Sequence, residues 1–367
     1  MKLPTIILLI CAIYIIGFFS HALYLRKTVY GDGIFYFSWL HTVAIDKDID
    51  FRNEYTHFGA TQPKRKSGGY GNKYSIGPAL LWAPLYMTLY TALRGNGWSF
   101  PYQIAVGFVS VLSALASFVF LIRILKHSSA VSGLTILFIA GATNLLFYGS
   151  VDAVNSHALS FFAATVYIAL LTSPTIEWFA AGIVLGVLAA IRLQDMVFIL
   201  LLLPHVRRIR WALLLSGFGM AFAPQLIAWY TLYGSFVNPY LAGGETFNFL
   251  HPHILGVLFS PNNGLFLWTP IVAVGLLGLF LEYKKYWAYL AVFGSELFIV
   301  ASWGTWWQGA SVSGRMFVSS LPIIAIGLSL IIQRIYRIRL IRSSLVLMAG
   351  ALCVINALSI IYYLLIH

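Results

Sequence analysis

The chain has 367 residues, 60% of them hydrophobic and only 9% charged, with a formal net charge of +12. Such usage lies far outside that of soluble globular domains, and no polar stretch exceeds about fifty residues, the low end of domain size, so a separate soluble domain is excluded. The positive charge would suggest nucleic acid in a soluble protein; here the basic residues sit in short clusters between apolar runs, and nucleic acid is not an expected partner.

Taken in chain order, the first apolar run, 4–24, is long for the core of a signal peptide and has only Lys2 as a basic flank. It reads as a retained first span, although Ser20-His21-Ala22 loosely fits a cleavage site. A polar stretch, 25–75, follows and opens with Gly31-Asp32-Gly33. Further runs long enough to cross a bilayer fall at 101–124, 131–149, 157–173, 210–231, 264–281, 287–303, 316–332 and 343–366. Two regions are ambiguous. Segment 76–93 is apolar but carries Pro78 and Pro84, and segment 178–205 has Arg192 and Asp195 in its middle. Cys11 and Cys353 both lie inside apolar runs and form neither a disulfide framework nor a metal-binding spacing.

Charge resolves the two regions. Short cytoplasmic loops collect Lys and Arg, which places Lys2, Arg123/Lys126, Arg207/Arg208/Arg210, Lys284/Lys285 and Arg334/Arg337/Arg339/Arg342 on the cytoplasmic side. Parity then makes 178–205 go out and return as two short arms, with Arg192–Asp195 at the turn. It also keeps 76–93 on the outer side as an interfacial or re-entrant piece. The expectation is an all-α, polytopic integral membrane protein of the cell (inner or plasma) membrane. It would have about eleven spans, N-terminus inside, in a single domain over 1–367. Residues 25–100 would form an extracytoplasmic first loop with interfacial helices.

This threading puts every motif-like polar stretch outside: Gly31–Gly33, Ser150–His157, Arg192–Asp195, 232–263 and Gly309–Arg315. Of eleven acidic residues, only Glu177 and Glu282 fall in cytoplasmic loops, and Glu296 lies within a span. An outward active face argues against ATP and nucleotide sugars as direct substrates.

Several residues in these stretches could carry chemistry. Asp32, freed by Gly on both sides to approach a ligand, suits a general base; it could equally cap a helix starting near Ile34. Asp46, Asp48 and Asp50 could hold a divalent cation through oxygen ligands or form a solvated mixed-charge loop with Lys47 and Arg52. A guanidinium at Arg192 is costly at membrane depth without a partner; Asp195 could neutralise it, or it could grip a phosphate with its planar fork. Arg315 follows a run of Trp, small and hydroxyl residues that suits an anionic head group, while Trp303, Trp306 and Trp307 fit an interfacial aromatic belt. Glu296 is an intramembrane carboxylate and a functional candidate by default, or a protonated group bonded to a neighbouring helix. Asp152, Asn155 and His157, and Glu245, His251 and His253, line outer loops. No HExxH, CxxC, GxSxG or P-loop spacing occurs.

The order of several stretches resembles a known family. Gly31-Asp32-Gly33-Ile34-Phe35-Tyr36 and Asp46-Lys47-Asp48-Ile49-Asp50-Phe51 resemble the acidic first loop of the C-type glycosyltransferase (GT-C) fold. Lys73-Tyr74-Ser75-Ile76-Gly77-Pro78-Ala79-Leu80-Leu81, Leu258-Phe259-Ser260-Pro261-Asn262-Asn263-Gly264-Leu265, and Trp306-Trp307 through Gly314-Arg315 are similar to later stretches of its bacterial members. The resemblance is to bacterial relatives of the protein O-mannosyltransferases and of aminoarabinose transferase. It implies transfer of a sugar from a polyprenyl-phosphate carrier to a glycan, lipid or protein acceptor outside the membrane. By that resemblance Asp32 would be the catalytic base, and Arg315 and Arg192 would bind the carrier phosphate. Asp46, Asp50, Asp152, His157 and Glu245 would be further contacts to donor, acceptor or metal, with no cofactor implied beyond an optional divalent cation. Two features depart from the family. Gly33 stands where the O-mannosyltransferases have Glu, and no soluble C-terminal domain is expected. The competing class is a transporter or lipid flippase using Arg192, Asp195 and Glu296, although the internal repeats usual in transporters are missing. A non-catalytic membrane scaffold would leave the outer charge cluster unexplained.

Overall fold

The computed structural model describes residues 3–61, 68–236 and 245–366, with the side chains of 339–341 left aside. Lys2, the Arg339 side chain and the middle of the 232–263 loop lie outside the described residues. The described residues are helical throughout, without a β-strand. The helices are α1 (Leu3–Leu25), α2 (Asp32–His41), α3 (Arg52–Phe58), α4 (Gly77–Leu93), α5 (Phe100–Leu125), α6 (Ser129–Gly141), α7 (His157–Leu171), α8 (Trp178–Ile191) and α9 (Trp211–Tyr233). They continue as α10 (Ile254–Phe259), α11 (Leu265–Trp268), α12 (Ile271–Leu281), α13 (Tyr283–Ser302), α14 (Leu321–Ile335) and α15 (Arg339–Ile366). Tighter 3-10 turns run over Leu193–Arg208 and Arg315–Ser320, and π-helical turns over Thr42–Asp46 and Phe147–Val151.

Among the described residues, five segments are long and apolar enough to cross a membrane: Leu3–Leu25, Phe100–Leu125, Trp211–Tyr233, Arg315–Ile335 and Arg342–Ile366. Shorter apolar helices at Ser129–Gly141, His157–Leu171, Trp178–Ile191 and Ile271–Leu281 pack among them. α1 shows why this is a membrane fold. Its buried residues, Ile6, Ile10, Tyr14, Phe18 and Ala22, form one i, i+4 stripe, yet the opposite face carries Leu8, Ile16 and Leu23, each more than 60% exposed. A helix apolar on its outward face as well as its inward one has lipid, not water, as its solvent.

Some expected spans are broken. The run 131–149 stops as an α-helix at Gly141 and resumes as the π-turn at Phe147. The run 264–281 breaks at Pro270, which cannot donate a helical hydrogen bond. α4 is one helix despite Pro84, with Pro78 in its first turn, where a missing N–H costs nothing.

The 178–205 region folds as two arms, parted where Arg192 is extended (φ −148°, ψ 117°). Gly182 backs onto the Leu214 carbonyl and Gly186 onto the Phe218 carbonyl; a Cβ would lie 2.0 and 2.7 Å from those oxygens. Both contacts advance in the same direction, so α8 and α9 run parallel, and Leu193–Arg208 must run back between them. At one end of the bundle the basic loops gather: Lys126 donates to the Thr172 carbonyl at 3.5 Å, and Arg334 pairs with Glu282. The candidate chemical residues gather at the other.

Candidate active site

A cavity of about 320 Å³ lies at that second end, lined by Asp32, Tyr36, Lys73, Tyr74, His157, Arg192, Gln194, Glu245, Trp303, Gln308 and Arg315 among others. Three cationic side chains, Lys73, Arg192 and Arg315, face two carboxylates, Asp32 and Glu245, across it.

Asp32 is the first residue of α2. Gly31 before it adopts φ +52°, ψ −133°, a region that only glycine enters at little cost. At Gly33 a Cβ would sit 2.2 Å from the Val154 carbonyl oxygen, so the glycine lets the start of α2 press against the 152–156 loop. Gly31 takes the cap position and Asp32 is the first helical residue, so the helix-cap reading is not what this side chain does. Instead its Oδ2 accepts from Arg315 Nη1 at 2.8 Å and its Oδ1 from the Tyr74 hydroxyl at 2.8 Å. Tyr74 itself is stacked on Phe35, 4.7 Å between ring centroids.

Arg315 opens the 3-10 turn that leads into α14. Beyond Asp32, its guanidinium keeps an Nε that is buried and without a hydrogen-bond partner, so the cation retains unmet donor capacity beside the cavity. Arg192 is nearly buried, at 8% exposure. Its Nη1 lies 2.5 Å from His157 Nδ1, and its Nη2 donates to Gln194 Oε1 at 3.0 Å and contacts the Met316 sulfur. A guanidinium can only donate, so His157 accepts at Nδ1 and is neutral. The Arg192–Asp195 ion pair, one of the two readings open for Arg192, does not form. Asp195 accepts from Ser160 at 2.5 Å and from Ser319 at 2.9 Å, behind the cavity wall. Glu296 shares that Ser319 hydroxyl at 2.9 Å and accepts from Gln194 at 3.1 Å. The Ser319 hydroxyl thus stands between the two acids. Neither acid lines the cavity, whereas Arg192 and Gln194 do.

Of the outer-loop candidates, His251 and His253 are exposed, whereas Asn155 and His157 are buried and Asp152 and Glu245 partly so. His157 is 4% exposed. Glu245 pairs with Lys73 Nζ at 2.9 Å and accepts from the Trp303 indole at 2.8 Å, so Trp303 and Trp307 line the cavity and do more than mark an interface. Asp152 is half-buried near Asp32; withdrawal from water, with the Asp32 charge beside it and Arg315 opposing, pushes its pKa up to about 7.

The carboxylates at 46–50 do not converge on one point. Asp48 Oδ1 accepts from the Thr42 hydroxyl at 2.9 Å and from the Asp50 amide at 3.1 Å. Asp50 accepts from the Tyr70 amide at 3.2 Å and pairs loosely with Arg52. Asp46 turns away to His41, at 3.1 Å. None of the three reaches the cavity. Cavity residues given no individual role in the sequence are Lys73, Tyr74, Gln194 and Gln308. Lys73, Tyr74 and Gln308 had a signal, since they stand in stretches that carry the family resemblance.

No family model matches the chain, and no curated protein matches it. Among solved structures the chain is similar to the crystal structure of the Archaeoglobus fulgidus oligosaccharyltransferase in complex with zinc and sulfate. The identity is 12% and the TM-score 0.47, over 98% of this chain and 52% of that one. The chain thus spans about half the length of that enzyme.

Proposed function

We propose that the chain is a membrane glycosyltransferase that moves a sugar from a polyprenyl-phosphate carrier to an acceptor hydroxyl on the extracytoplasmic face of the cell membrane. The observation that carries this reading is the Asp32–Arg315 pair, 2.8 Å apart, in a cavity that Arg192 and Lys73 also line. Its placement opposite the basic loops supports an outward-facing site.

The chemistry asks for two things. The acceptor hydroxyl must lose its proton as its oxygen bonds the anomeric carbon, and Asp32 takes that proton. The bond from the anomeric carbon to the phosphate oxygen breaks, its electron pair staying on the phosphate, and a cation must hold the charge that develops. Arg315 and Arg192 are donor-only groups whose forks match phosphate oxygens. Arg315 is held by Asp32. An arriving phosphate competes for the guanidinium and leaves the carboxylate open to the acceptor. Glu245 and His157 shape the cavity around the sugar and acceptor.

The test is direct. The protein in lipid nanodiscs is incubated with a panel of radiolabelled polyprenyl-phosphate sugars and candidate glycan, lipid and protein acceptors. Label should move from carrier to acceptor with at least one donor. Carrier that is only translocated, with its sugar still attached, would favour a flippase and sink the reading.

A further inference from the structure

At the opposite end of α2 from Asp32, a second cluster forms that the transfer chemistry does not use. His41 ends α2, Asp46 ends the π-turn that continues it, and Glu54 sits in the first turn of α3. His41 Nδ1 lies 3.1 Å from Asp46 Oδ2 and 3.3 Å from Glu54 Oε1, and one ligand atom of each residue lies within 4.8 Å of the others. The His41 ring is nearly buried, at 3% exposure, and Glu54 is fully buried, at 0%. The second oxygen of Glu54, Oε2, has no hydrogen-bond partner.

His41 Nε2 faces the Asn96 carbonyl at 3.3 Å. A proton there leaves the Nδ1 lone pair pointing at two carboxylates, so three electron-rich atoms converge in a buried place. A proton on Nδ1 would serve those contacts but still leave Glu54 Oε2 unmet, and a buried unpaired carboxylate oxygen is costly. A divalent ion satisfies all of them together. Ligands at 2.0–2.2 Å around a tetrahedral ion are roughly 3.3–3.5 Å from each other, close to the two spacings at His41. The outer partners are in place as well: the Asn96 carbonyl fixes the imidazole tautomer, and Asn53 Nδ2 donates to Asp46 Oδ2 at 2.6 Å.

We propose that His41, Asp46 and Glu54 bind one divalent transition-metal ion, of the zinc or manganese class. One imidazole with two carboxylates suits those ions, whereas calcium and magnesium take all-oxygen sets. The ion would fasten the end of α2 to α3, with its open position toward a groove lined by Asp48, Asp50, Arg52 and His57. It would steady from below the helix whose first residue is Asp32. The inference does not rest on the transferase reading, because its test reads metal and not sugar transfer.

The full-length protein in detergent is stripped with a chelator, dialysed and titrated with Zn²⁺ and with Mn²⁺ by calorimetry. One high-affinity equivalent is expected for the better-fitting ion. Asp46→Asn, at a partly exposed position that tolerates the change, should weaken binding by more than ~10-fold, the least that even an outer partner costs. A second measurement needs no variant: Co²⁺ added to the stripped wild type should give the absorption bands of a low-coordinate nitrogen–oxygen site, displaced by Zn²⁺. Stripped wild-type protein that takes up neither ion overturns the proposal, as does equal binding by wild type and Asp46→Asn.

Discussion

Replacing Asp32 by Asn separates the roles this residue could have. The substitution keeps the shape and one acceptor oxygen but removes the charge that faces Arg315 at 2.8 Å. That pair is partly exposed, with 18% and 34% of its side chains accessible, so its loss should cost only about 1 kcal/mol of stability. The effect on rate is of a different size. An amide cannot take the acceptor's proton, and a general base contributes ~10²–10⁴-fold, or about 3–5 kcal/mol of barrier at 1.36 kcal/mol per decade. Transfer should therefore nearly vanish while the melting temperature in detergent barely moves. The split between kinetic constants sharpens the test. A base lost from the transition state lowers kcat, whereas a residue that only holds Arg315 for the donor would raise the donor KM and leave kcat alone. Asp50→Asn is the matched control, since Asp50 binds the Tyr70 amide and lies away from the cavity; it should transfer at the wild-type rate. Wild-type turnover in Asp32→Asn would refute the assignment of the base and the mechanism built on it.

Arg315→Lys keeps the charge and loses the fork, so transfer should fall through weaker use of the lipid donor, and Arg315→Ala should fall further; normal kinetics in both would make Arg315 an ordinary interfacial residue. Asp152 gives a pH signature. Its carboxyl sits at about 7 in the folded protein against ~3.9 unfolded, so the native state holds the extra proton, and its contribution is full near pH 4 and lost as pH rises to about 7. Asp152→Asn should flatten that fall in melting temperature, and parallel curves for wild type and variant would count against it. For topology, a cysteine at Asn248, an exposed position on the cavity side, should react with an impermeant thiol reagent on intact cells, and one at Arg208, exposed among the basic loops, only after permeabilisation. The reverse pattern would place the cavity in the cytoplasm.

The membrane class and the polar end of the bundle were legible in the sequence because they depend on properties summed over long runs. Apolar length sets which segments can cross lipid, and the Lys and Arg clusters set which loops share a side. The return of the chain at Arg192 was readable on the same grounds: with the basic clusters on one side, parity made 178–205 go out and come back, with Arg192–Asp195 at the turn. Asp32 and Arg315 were each visible, one by its flanking glycines and the other by the run of Trp, small and hydroxyl residues before it. What the sequence did not reveal is that they touch. They stand 283 positions apart, and pairing across that distance depends on how α2 leans on the 152–156 loop and on where the 3-10 turn before α14 ends. The same holds for Arg192. Its near neighbour Asp195 looked like its partner, but the extended backbone at Arg192 sends the two side chains to opposite sides of the wall. Asp195 goes to Ser160 and Ser319, and Arg192 goes to His157 and the cavity. Asp46 follows the same rule on a smaller scale: alternation with Asp48 and Asp50 left a shared cation or a solvated loop open, and the π-turn at Thr42–Asp46 instead turns it toward His41. Spacing along a chain fixes direction only while the backbone repeats regularly, and at each of these residues the repeat breaks.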